Sequence, residues 1–153
     1  MFINSNSDIS LLPEILLSMT EGETDRTANL ANASALLMQF LPHINWAGFY
    51  RVAEQQLILG PFQGKPACVR IEYGKGVCGT AWKEDRIQRI ENVHTFSGHI
   101  ACDCDSNSEI VIPLHKNGTV WGVLDIDSPE FGRFTLEDQE ILIKFSAILE
   151  KLL

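Results

Sequence analysis

From Thr24 to Leu41 apolar residues recur every three or four positions, at Leu30, Ala33, Leu37, Phe40 and Leu41, which is the pattern of one helical face. A shorter helix is predicted over residues 9 to 19, capped by Ser7 or Asp8, with Pro13 accommodated only in its first turn. The period then changes. The runs WAGFYRV, QLILG and ACVRIEY are short, rich in β-branched and aromatic residues, and bounded by Gly, Pro and polar pairs, so they predict three strands. GKGVCGTAWKED follows as a glycine-rich turn opening a short helix, and RIQRIENV predicts a fourth strand. A polar, Gly/Ser/Asn-containing loop covers residues 92 to 108, a length that in a compact domain often carries function. EIVIPLHKNGTVWGVLDIDS predicts a hairpin turning at Asn117 and Gly118. At the end of the chain, Thr135 and Asp138 form a capping-box-like start to a helix with Ile141, Leu142, Phe145, Ile148, Leu149 and Leu152 in one stripe. This order predicts an α+β domain with helices flanking a sheet at both ends of the chain, a single domain over 1–153.

The hairpin's register decides which side chains meet. A two-residue loop pairs Glu109 with Ile126 and mixes polar and apolar residues on each face. A three-residue loop, with Gly118 as a left-handed bulge, pairs Glu109 with Asp125 and places Ile110, Ile112, Leu114, Val120, Leu124 and Ile126 on one face. The second register is therefore the expectation. It gathers Glu109, Asp125 and Asp127 at one end of the opposite, otherwise apolar face, as a candidate pocket or as solvated acids at a hairpin's frayed end.

Composition narrows the function classes. The 153 residues are 45% hydrophobic, enough for one core. The net charge of -8, from 20 acidic and 12 basic residues, provides no basic surface for nucleic acid. MFINSNSDISLLPE lacks the positive start and apolar core of a secretory signal, and no apolar run approaches the ~20 residues of a membrane span, so a cytoplasmic protein is expected. In that reducing compartment the four cysteines, Cys68, Cys78, Cys102 and Cys104, are metal ligands, redox groups or inert core thiols rather than a disulfide framework. Only one pair is closely spaced, which disfavours structural zinc. Cys102 and Cys104 sit in the most polar loop, GHIACDCDSNSEI, beside His99 and several acids, whereas buried structural thiols prefer apolar neighbours, so the residues alone leave a redox group and an inert thiol equally open.

GKGVCGTAWKEDRIQRIENV and SEIVIPLHKNGTVWGVLDIDSPEFGRFTLEDQEIL together resemble the GAF domain, whose antiparallel sheet and flanking helices enclose a small-molecule pocket. NWAGFY, PACVRI, GKGVCGTAW, GHIACD, SEIV and LDIDS, in that order, are similar to the free methionine-(R)-sulfoxide reductases within that family. The family's three cysteines, spaced by ten and twenty-four, match Cys68, Cys78 and Cys102. The resemblance implies reduction of free methionine-(R)-sulfoxide with no bound cofactor or metal. In it Cys102 is the nucleophile, Cys68 the resolving thiol and Cys78 an auxiliary thiol, with thioredoxin or another dithiol as reductant. It further implies that Glu109, Asp125 and Asp127 hold and polarise the substrate, with Glu109 and Asp127 in the catalytic set. Trp46 matches the aromatic that packs on the methyl group, and Tyr50 of the same motif lines the substrate site. A homodimer through the N-terminal helices is also expected. Cys104 departs from the family pattern and is read as a neutral replacement, while Trp82 and Trp121 are expected in the core. The rival reading is a non-catalytic GAF domain that binds a small ligand.

Overall fold

The computed structural model describes residues 8–98 and 105–153. Six antiparallel strands form one sheet in the order β3-β2-β1-β6-β5-β4, with β1 Trp46–Ala53, β2 Gln56–Gly64, β3 Arg70–Glu72, β4 Gln88–Ile90, β5 Ser108–Lys116 and β6 Thr119–Ser128. The helices are α1 Leu12–Met19, α2 Arg26–Phe40, α3 Gly76–Glu84 and α4 Leu136–Glu150. The expected α+β architecture holds. No described helix is long and apolar enough to cross a membrane.

Local chemistry sets the helix ends. Asp8 accepts from the Ser10 amide and caps a 3-10 turn over Ile9–Leu11 that leads into α1, where Pro13 falls in the first turn. Asp25 accepts from the Ala28 amide at 2.8 Å to start α2. Thr135 and Asp138 make the reciprocal capping box at the start of α4. The predicted apolar face of α2 is buried throughout, from Leu30 to Leu41. It packs against β1 and β2, while α1 and α4 pack on each other and α4 on β5. One face of the sheet thus carries the main core, where Phe49, Ile110, Leu114, Leu124 and Ile126 meet Leu37, Leu142 and Phe145, all fully buried. Each such side chain contributes on the order of 1.5–3 kcal/mol of transfer free energy. The other face is covered by α3 and by the chain around residues 65–69. It holds a smaller cluster that includes Trp46, Tyr50, Ile71, Val77, Cys78, Val111 and Val123.

Two strands are shorter than the sequence predicts. β3 covers only Arg70–Glu72 because Pro66 lies ahead of it and Ala67 to Val69 form a connection, in which the Val69 carbonyl accepts from the Leu59 amide. β4 ends at Ile90, since the Asn92 side chain accepts from the His94 amide and begins a 3-10 turn. β2 in turn runs past Gly60 and carries Pro61, a residue without an amide proton, beyond the last pair with β3.

The expected hairpin register is corrected by two residues. Lys116 pairs with Thr119 across a two-residue turn in which Asn117 (φ 53°) and Gly118 (φ 79°) are both left-handed, a combination that matches the twist of the strands. The irregularity lies further down, between Leu114 and His115, where Leu114 pairs with Gly122 while His115 pairs with Val120. Trp121 is the extra residue. It turns to the main-core side, where the Arg26 guanidinium stands 5.5 Å from its ring centroid. Below this bulge Glu109 is opposite Asp127, and Asp125 is opposite Val111, rather than Glu109 opposite Asp125. Below the bulge the displacement of two residues leaves the side chains on the expected face, because side chains alternate with period two.

Candidate active site

On the α3 side of the sheet, three adjacent rows of paired residues build the floor of a pocket. Glu109, Asp127 and Trp46 form one row, Val111, Asp125 and Gly48 the next, and Pro113, Val123 and Tyr50 the third. The acids therefore lie on β5 and β6 and the two aromatics beside them on β1. Gly48 is required in the middle row, for a Cβ there would stand 2.3 Å from Phe62 Cβ and 2.8 Å from the Trp46 ring. With no side chain at that point, Trp46 stacks on Phe62 (centroids 5.2 Å apart, planes 15° apart) and lies 6.0 Å from the Tyr50 ring. The polar ends of both aromatics hold the covering chain. Trp46 Nε1 donates to the Lys65 carbonyl at 3.1 Å, and the Tyr50 hydroxyl donates to the Cys68 carbonyl at 2.9 Å. Above the floor, α3 supplies Val77 and Cys78. Gly79, one residue on, lets the helix approach β3, since a Cβ there would lie 2.6 Å from the Glu72 carbonyl oxygen.

Three acidic groups converge in this enclosure. The Cys78 thiol donates to Glu109 Oε1 across 3.9 Å, and ligand atoms of Cys78, Glu109 and Asp125 all lie within 4.8 Å of one another. Glu109 and Asp125 are 7% and 6% exposed, and Asp125 Oδ1 is buried without a hydrogen-bond partner. Burial, followed by the charges of Asp125 and Asp127, pushes the Glu109 carboxyl well above its ordinary range. Burial also raises Asp125, partly offset by its hydrogen bonds with Glu109 and Cys78. The Cys78 thiol is raised by burial and then by Asp125, Glu109 and Asp127. Tyr50 is raised by burial first and Asp125 second, so its phenol stays a hydrogen-bond donor. The arrangement favours the protonated carboxyls more than water does, beside an apolar, aromatic wall.

Of the residues expected at the site, Trp46, Tyr50, Cys78, Glu109, Asp125 and Asp127 line this one pocket. Cys68 is disulfide-bonded, whereas Cys78 is a free thiol. Cys102, Cys104 and His99 lie outside the described residues. Trp82, expected in the core, is half-buried and packs against the edge of the smaller cluster, edge-on to Tyr73 at 4.7 Å. Sequence reasoning missed Phe62, which backs Trp46, because it ended the second strand at Gly60. The alternation of Leu57, Leu59 and Phe62 across a bulge was the available signal. It also missed Lys75 and Ser106 at the pocket wall.

The sheet carries its main core on the face packed by α1, α2 and α4 and a small pocket on the face covered by α3 and residues 65–69, the layout of an α+β domain, and comparison gives it a lineage. The sequence pattern of the GAF domain matches residues 21–153, and the chain belongs to that family. It is 55% identical over 152 residues to protein YtsP of Bacillus subtilis (strain 168), covering 98% of this chain and 93% of that one. It is 59% identical over 136 residues to the free methionine-R-sulfoxide reductase of Escherichia coli (strain K12), covering 89% and 82%. The structure of fRMsr of Staphylococcus aureus in complex with substrate superposes with a TM-score of 0.91 at 49% identity, covering 99% of both chains. Within the GAF domains the chain falls in the group of the free methionine-R-sulfoxide reductases.

Proposed function

We propose that this protein reduces free L-methionine (R)-S-oxide to methionine. The observation that carries the reading is the pair of buried carboxyls, Glu109 and Asp125, held in protonatable form on the floor of a pocket walled by Trp46 and Tyr50. Sulfoxide oxygen departs only when protonated, so the site needs an acid that is neutral near pH 7. Like charges crowded in an apolar enclosure supply one. The likeness to reductases, one of them with its substrate bound, supports the same chemistry.

Each group then has a role. The aromatic face of Trp46 packs on the S-methyl group, and Asp125 and Asp127 hold polar atoms of the substrate. Cys102 attacks the sulfoxide sulfur while the Glu109–Asp125 pair protonates the oxygen. The oxygen passes to Cys102 as a sulfenic acid and methionine leaves. The Cys68 thiol condenses with that sulfenic acid to give a disulfide and water, and an external dithiol of the thioredoxin type returns both sulfurs to thiols. The balance is one sulfoxide and one dithiol in, methionine, water and one disulfide out. The disulfide-bonded state of Cys68 supports its place as resolver. Cys78, buried and protonated, is an auxiliary group beside the acid.

The test is turnover of the separate R and S epimers of free methionine sulfoxide with thioredoxin, thioredoxin reductase and NADPH, in the intact protein and in Cys102→Ser and Cys68→Ser. NADPH loss with the R epimer alone, abolished by Cys102→Ser, is the expected result. No turnover with either epimer, even with a small dithiol, would leave a ligand-binding GAF domain.

A further inference from the structure

We propose that the same pocket floor is a binding site for a thiophilic divalent cation of the zinc class, held by Cys78, Glu109 and Asp125, and that metal and sulfoxide exclude each other. The binding claim stands on geometry alone, while the exclusion of substrate rests on the reductase reading.

Three observations converge. First, the donor set is mixed thiolate and carboxylate, the combination that selects a borderline-soft ion over magnesium or calcium. Among the described residues these three form the one group of cysteine, histidine and carboxylate side chains placed to share an ion. Second, one donor pair stands close to bonding separation, and all three donor atoms lie within 4.8 Å of one another. Zn–S and Zn–O bonds of about 2.3 and 2.0 Å at a tetrahedral angle separate sulfur from oxygen by roughly 3.5 Å, and Cys78 Sγ lies 3.9 Å from Glu109 Oε1. Third, Asp125 Oδ1 is buried and has no hydrogen-bond partner. A polar oxygen aimed into an enclosed site at that cost is a group awaiting a ligand.

The elements also hold the three donors in place without the metal. Glu109 and Asp125 project from neighbouring strands of the central sheet and Cys78 from the first turns of α3, so binding requires no loop to close. Three protein donors are one fewer than a closed tetrahedral zinc site uses, and all three line the pocket that Trp46 and Tyr50 also line. An ion there occupies the carboxylate oxygens that the sulfoxide needs. Cys78 is a free thiol while Cys68 is disulfide-bonded, so the donor set survives in that oxidised state. Thiophilic metal is therefore a reversible brake that does not compete for the resolving thiol.

The experiment uses the full chain, stripped of metal by chelation, with zinc binding followed by calorimetry and Cd²⁺ binding by its ultraviolet thiolate charge-transfer band. A single equivalent that is lost in Cys78→Ser, weakened about ten-fold or more in Asp125→Asn, and retained in Cys104→Ser supports the site. Circular dichroism of each variant verifies folding, and Asp125→Asn carries the test if Cys78→Ser does not fold. Absence of binding in the intact protein overturns the proposal, as does binding that persists in both Cys78→Ser and Asp125→Asn. Turnover of the R epimer is scored separately. Zinc binding without turnover leaves the metal site standing and removes the reductase reading, whereas turnover without zinc binding does the reverse. Where both occur, zinc raises the KM for sulfoxide, and chelator restores it.

Discussion

Glu109 on β5 stands directly across the sheet from Asp127 on β6, with Asp125 one alternate position away and the Cys78 thiol 3.9 Å from Glu109 Oε1. Burial and its neighbours raise the Glu109 carboxyl, so the folded state favours the protonated form more than the unfolded chain does. The sign of the pH effect follows. Stability is fullest below the unfolded value and is lost as pH rises toward the folded one. Glu109→Gln is expected to raise Tm at pH 8 while leaving it nearly unchanged at pH 4, and to lower kcat/KM for the R epimer by roughly 10²–10⁴-fold. Calorimetry at the two pH values and steady-state kinetics check the two halves.

Cys78 is expected to be inert toward alkylation in the folded protein. Burial and three nearby acids push its thiol upward, so the reactive thiolate is scarce near neutrality. Brief treatment of the reduced protein with iodoacetamide at pH 7.5, followed by peptide mass spectrometry, should leave Cys78 unmodified, and the same treatment in guanidinium should modify it. Rapid labelling in the folded state would contradict the enclosure described for it.

Gly48→Ala introduces a methyl group where Phe62 and the Trp46 ring already meet. Overpacking of this kind costs about 1–3 kcal/mol. The expected outcome is a lower urea midpoint, altered tryptophan fluorescence, and, on the proposed function, a raised KM that exceeds any fall in kcat, since the displaced ring lines the pocket.

His115 ties three elements together away from the pocket. Its Nε2 lies 2.6 Å from Asp85 Oδ1 at the end of α3, and its Nδ1 lies 3.0 Å from Glu150 Oε2 at the end of α4. Burial opposes its charged form, but the hydrogen bonds and charges of Asp85 and Glu150 prevail and raise its pKa. The stabilisation is complete below the unfolded value of about 6.5 and disappears as pH rises through the folded value. His115→Gln should therefore lower Tm at pH 6 and have little effect at pH 9.

The carboxylates were legible in the sequence because side-chain alternation assigns faces without needing the pairing. Ile110, Ile112, Leu124 and Ile126 demand one buried face, and Glu109, Asp125 and Asp127 are thereby sent together to the other. Strand pairing itself was not legible. Both expected and observed registers satisfy the same alternation, and the choice between them depends on how Asn117–Gly118 turns and on where Trp121 finds room beside Arg26. The capping box of Thr135 and Asp138 was equally local and equally readable, being a contact over three residues. What the tertiary structure decided is the encounter of parts distant along the chain. Cys78 meets Glu109 from 31 residues away, and Phe62 reaches behind Trp46 only because β2 continues past Pro61. Local pattern encodes periodicity and turns, which are short-range sterics. Distances across a packed interior, and the burial that shifts these acids, arise only when the sheet and α3 close on each other.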